Sequence, residues 1–138
     1  MQVLIQHGAD VEAQDNIGLT PLHLASTSGS VETVRLFVEN GADACARNGS
    51  HETPLHLALS SRSTETVRQL LKHSVDANAQ DGIRKTPLHL APYMGSAETV
   101  RVLIVHGAGV RARNENHETT LHLASSSGSN LLKLCNYC

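Results

Sequence analysis

The sequence predicts an all-α solenoid, a stack of helix pairs without a single central core, and two observations carry that expectation. The phrase Thr-Pro-Leu-His-Leu-Ala fills residues 20–25, 53–58 and 86–91, and Thr-Thr-Leu-His-Leu-Ala fills 119–124, so the interval is 33 residues each time. Self-similarity at such a period marks supersecondary units that bury their apolar faces only against one another. Composition agrees: the 138 residues are 40% hydrophobic, yet hold one Phe, two Tyr and no Trp. Large aromatics normally supply much of a globular core's buried area, whereas Leu, Val and Ala suit thin, closely packed layers.

The chain opens on half a unit. Met1, Leu4 and Ile5 fall in register with Val34, Phe37 and Val38, so residues 1–14 predict a second helix and its exit loop, without a first helix. An end left open in this way exposes a repeat's apolar face, and the expectation is a piece of a longer array or a frayed terminus.

Residues 15–47 are the first full unit. Asp15-Asn16-Ile17-Gly18 is turn chemistry. Thr20 stands as an N-cap and Pro21 as the first helical residue, where a missing N–H costs nothing. That helix stops at Gly29, and Ser30 caps a second one. There Val31, Val34, Phe37 and Val38 form one apolar stripe, while Glu32 and Arg35 pair on the solvated side.

Residues 48–80 and 81–113 repeat the pattern, with Val67, Leu70 and Leu71 and then Val100, Leu103 and Ile104 as core stripes. Arg62 replaces a helix-ending glycine, as does Ser74; where such a position needs positive φ, each costs roughly 1 kcal/mol. Pro92 falls inside a helix that starts at Pro87, which predicts local distortion and a cost of about 3 kcal/mol. Residues 114–138 form a degenerate repeat, with Lys133, Asn136 and Tyr137 where apolar residues belong; Leu131, Leu134 and Cys135 restore a stripe only if two residues were lost.

With these landmarks in register, the chain resembles an ankyrin-repeat protein: a 33-residue period, the Thr-Pro-Leu-His-x-Ala signature and the Gly41-Ala42-Asp43 ending. The resemblance implies antiparallel helix pairs with hairpin-like loops projecting at right angles, and a protein partner bound across the loop tips and the first-helix face. It also implies hydrogen bonds between each signature His and the Thr three residues before it. An asparaginyl hydroxylation site at Asn78, eight residues after Leu70, fits a further family feature, with Ala77 where Val is usual.

A net charge of −2 with no block of like charges disfavours binding to nucleic acid or anionic lipid. No stretch approaches the roughly 18–20 apolar residues of a membrane span, and the N-terminus lacks signal-peptide organisation. Three cysteines without a disulfide framework suggest an intracellular, cytoplasmic setting.

Of nine histidines, His23, His56, His89 and His122 belong to the signature, and His7, His73 and His106 close second helices. His51 and His117 lie at loop tips two periods apart, too far to share a zinc ion, because repeated positions are translated copies. Cys135-x-x-Cys138 lacks a second pair. No catalytic residue, metal ligand or cofactor site is expected.

Function is expected instead at exposed positions outside the signature: Ile17, Leu19, Ile83, Lys85, Tyr93 and Met94, as a partner-binding set. Apolar residues at loop tips and an aromatic beside a thioether are typical of contact surfaces, although Tyr93 and Met94 also suit a space-filling role around Pro92. The function expected is a non-enzymatic interaction scaffold, either a monomer or part of a longer array. The alternative is an accessory segment of a larger sensor, signalling protein or enzyme.

Overall fold

The computed structural model describes residues 1–127; Lys133, Cys135, Cys138 and the other residues of 128–138 lie outside them. The described residues form eight helices and no strand. α1 (Gln2–Gln6) stands alone at one end. Three pairs follow: α2 (Pro21–Ser28) with α3 (Val31–Glu39), α4 (Pro54–Ser60) with α5 (Thr64–Leu71), and α6 (Pro87–Met94) with α7 (Ala97–Val105). α8 (Thr120–Ser126) is the first helix of the next unit.

First helices pack on first helices, α2 on α4, α4 on α6 and α6 on α8, and the second helices do the same. One continuous core threads the layers through Leu22, Leu55 and Leu88 on the first helices and Val34, Val67, Leu70 and Leu103 on the second, each almost fully buried. Burying a side chain of this size contributes about 1.5–3 kcal/mol.

Each first helix starts at the predicted Thr cap with Pro next, except α8, where Thr120 replaces Pro and leaves its buried hydroxyl oxygen without a partner. The second helices depart from expectation in detail. Ser63 and Ser96 accept N–H bonds from Thr66 and Thr99 at 3.3 Å, whereas the Ser30 hydroxyl turns to Thr33 Oγ1 at 2.8 Å and leaves its helix uncapped. In α7 the expected Ile104 is partly exposed and Val102 is buried instead, so this helix turns Thr99, Val102 and Leu103 inward. Glu32–Arg35, Glu65–Arg68 and Glu98–Arg101 form the predicted exposed pairs, and Arg68 adds a bond to Glu98 of the next layer. At such exposure each is worth at most about 1 kcal/mol.

Pro92 does not break α6, which continues to Met94. Its effect is confined to the last turn. In α2 the Gly29 N–H reaches Ala25 and Ser26, and Ser30 N–H closes on Ala25 at 3.3 Å; the Gly95 N–H reaches Pro92 alone. Pro92 is buried, and burial of its apolar ring offsets part of the lost backbone bonding.

The N-terminal half unit contributes α1 and its exit loop. Ile5 packs on the core, but Met1 and Leu4 are 62% and 63% exposed, where their counterparts Val34 and Phe37 are buried.

Arg62 and Ser74 do occupy left-handed backbone, both at φ 58°. Replacing either with glycine is expected to stabilise the protein by about 1 kcal/mol, seen as a higher urea midpoint. An unchanged or lower midpoint would show that their side chains hold compensating contacts.

Candidate functional site

The loop before each first helix is built by one side chain. Asp15 Oδ1 accepts the N–H groups of Ile17 and Leu19 at 3.0 and 2.9 Å, and Asn48, Asp81 and Asn114 repeat the arrangement. The turn needs a left-handed residue at its third step. Gly18 supplies it at φ 78°, and His51, Arg84 and His117 are held there at φ 60–61°, a strain of about 1 kcal/mol each. His51 and His117 are thus backbone positions in separate repeats.

Successive tips are laced together. Gly49 N–H donates to the Ile17 carbonyl at 2.8 Å, Gly82 N–H to Ser50 at 2.9 Å and Glu115 N–H to Ile83 at 3.2 Å. A Cβ on Gly49 would meet the Ile17 oxygen at 3.0 Å, and one on Gly82 the Ser50 oxygen at 3.1 Å. The contact is longest where glutamate replaces glycine.

The signature histidines fasten the layers. Thr20 N–H donates to His23 Nδ1 at 3.1 Å, with the Thr20 hydroxyl at 2.8 Å from the same nitrogen. A nitrogen that accepts an N–H carries no proton, so the proton sits on Nε2, which donates to the Glu52 carbonyl of the next repeat at 3.1 Å. His56 uses Thr53 and the Lys85 carbonyl, and His89 uses Thr86 and the Glu118 carbonyl, both again at 3.1 Å. The expected Thr–His bond is therefore half of the arrangement. The half that joins repeats was not foreseen. Burial holds His23 and His56 below the ordinary histidine value of 6.5, against the raising effect of the carbonyls of Glu52 and Lys85 that they bond.

The unfolded chain thus binds protons below pH 6.5 that these two folded imidazoles refuse. Their contribution is complete above that pH and is lost as the pH falls through the depressed folded values. The urea midpoint is expected to be lower at pH 5.5 than at pH 7.5, with a smaller difference in His56→Gln. Equal midpoints in the wild-type chain would refute the assignment.

Inward of the tips, between α2 and α4, lies an open groove of about 510 Å³. Ile17, Leu19, Leu24 and Leu57 give it an aliphatic floor, and Thr27, Asn48, Ser50 and Glu52 edge it. Ile17 and Leu24 are 63% and 54% exposed. Leu24 and Leu57 stand at the variable place of the signature, inside the repeated phrase, and are not among the expected contact residues. On α2 Leu24 stands two places from Leu22, which is sealed at 0% exposure, and at the far end the order reverses: Leu121 is 53% exposed and Leu123 6%. The second signature leucine faces the preceding layer and the first faces the following one. Which of the two lies open depends on position in the stack, which the repeated phrase does not encode.

The six expected contact residues divide. Ile17 and Leu19 share the groove. Ile83 occupies the same tip position two repeats along and is 43% exposed, and Lys85 is half-buried beside it. Tyr93 stands 53% exposed on α6, while its neighbour Met94 is half-buried against the core. Asn78 carries two bonds to the next repeat, its Nδ2 donating to the Gly107 carbonyl at 2.9 Å and its Oδ1 accepting Gly109 N–H at 2.7 Å. Among the described residues no three His, Cys, Asp or Glu side chains gather to hold a metal ion, and no helix is long and apolar enough to cross a membrane.

Stacked helix pairs with laced loop tips define a helical-repeat protein. The chain belongs to the ankyrin-repeat family: a model of ankyrin repeats in three copies matches residues 1–81 and 73–137. Ankyrin repeats are protein–protein interaction modules. No curated protein matches the chain.

Proposed function

We propose that this chain is a non-enzymatic scaffold that binds a protein partner along its inner face, between the loop tips and the first helices. The observation that carries this is the groove. Four aliphatic side chains from two repeats converge there, Ile17 and Leu19 from a loop tip and Leu24 and Leu57 from neighbouring first helices. The loop and helix backbones beneath them are held by the Asp15 and Asn48 turn bonds and the His23 junction. A rigid apolar floor with polar edges suits a partner's aliphatic anchor, because little ordering is lost on binding. Ile83, Lys85 and Tyr93 extend the same inner face through the third repeat, and Met94 supports it from beneath. The repeat boundaries 15–47, 48–80 and 81–113 follow from the 33-residue register, and an intracellular partner suits the exposed thiol of Cys45.

Capture of partner proteins from a cell lysate is expected to drop at least about tenfold, near 1.4 kcal/mol, for Ile17→Asp and Leu24→Asp. Their melting temperatures should stay within a few degrees of wild type, as for exposed positions generally. Glu39→Arg, on the outer face of α3, should capture as wild type does. Undiminished capture by both groove variants would move the binding surface elsewhere.

A further inference from the structure

We infer that the inner face selects its partner by an order of side chains along the stack, apolar, negative, positive, negative, and that the partner is an extended segment carrying the complementary order. This rests on the proposed inner-face binding and names its ligand.

The order is written at one position of the repeat, occupied by Leu19, Glu52, Lys85 and Glu118. Backbone placement there is the same in every layer. The N–H of each residue donates to the turn side chain, Asp15, Asn48, Asp81 or Asn114, at 2.8–2.9 Å. The carbonyls of Glu52, Lys85 and Glu118 each accept a signature histidine at 3.1 Å. With the backbone fixed at two points, only the side chain differs from layer to layer.

The turn residue changes with it. Where the position is Glu, the turn residue is Asn, and the Nδ2 of Asn48 or Asn114 donates to Oε2 of Glu52 or Glu118 at 2.9 Å, leaving Oε1 for a partner. Where it is Lys85, the turn residue is Asp81, an acceptor without a proton to offer. Asp81 is the acidic group nearest Lys85 along the turn, and its Oδ1 is occupied by two N–H bonds. Leu19 and Glu52 already line the groove, in which Glu52 is the only charged residue.

Neighbouring layers pack roughly 8–10 Å apart. A polyproline-II segment returns to the same edge every third residue, about 9 Å further on. Such a segment sets an aliphatic side chain on the Ile17–Leu24–Leu57 floor, a base on Glu52, an acid on Lys85 and a base on Glu118.

The test uses the full chain and two fluorescent peptides, Leu-Pro-Pro-Lys-Pro-Pro-Glu-Pro-Pro-Lys and its charge-exchanged form Leu-Pro-Pro-Glu-Pro-Pro-Lys-Pro-Pro-Glu, each in both chain directions. At about 50 mM salt the first should bind at least tenfold tighter, with the preference shrinking at about 500 mM as screening shortens. The triple variant Glu52→Lys, Lys85→Glu, Glu118→Lys, shown folded by circular dichroism, should reverse the preference. Equal binding of both peptides, binding of neither, or an unreversed preference overturns the charge order. Lysate capture by Leu24→Asp judges the groove itself separately, whichever way the peptides behave.

Discussion

The bond from a signature histidine to the carbonyl of the next repeat is the interaction on which the rest of the structure depends. An imidazole has one acceptor and one donor nitrogen, and here they face opposite ways along the stack. Nδ1 is satisfied by the threonine that starts its own helix, and Nε2 reaches across the layer boundary. One buried side chain therefore sets the start of a helix and the distance to the next. Losing it would strand a buried threonine N–H, at about 1–3 kcal/mol, and leave a part-buried carbonyl without its imidazole donor.

Because the junction is the same three times over, the loop tips arrive in register and lace to one another, and the first helices line up along one face. That regularity separates scaffold from surface. Positions that build a layer are held from both sides, and whatever stands at the remaining positions is displayed on a fixed frame. The groove is the clearest result: Ile17 and Leu19 come from a turn held by Asp15, and Leu24 and Leu57 from neighbouring helices.

The 33-residue interval made much of this legible in the sequence. Helix starts at Thr20, Thr53, Thr86 and Thr119, the positive φ of Arg62 and Ser74, and the outer pairs from Glu32 to Arg101 all follow from local chemistry in register. What stayed hidden depends on neighbours rather than on residue type. Leu22 and Leu24 are the same amino acid two places apart, yet one is sealed and the other open. Val102 rather than Ile104 is buried in α7, a choice the apolar pattern leaves open. Pro92 was expected to cause more disturbance than it does, because helix propensity says nothing of the packing around a buried ring. The candidate site was half visible: its tip residues Ile17 and Leu19 stood out, while its helical floor was concealed inside the repeated phrase.

The central claim is that His23, His56 and His89 are junction groups with the proton on Nε2. Long-range nitrogen–proton correlation spectra of the imidazole rings at pH 7 measure this directly. All three should show a protonated Nε2 and an unprotonated Nδ1. A proton on Nδ1, or tautomer averaging in these three rings, would contradict the claim that they join the repeats.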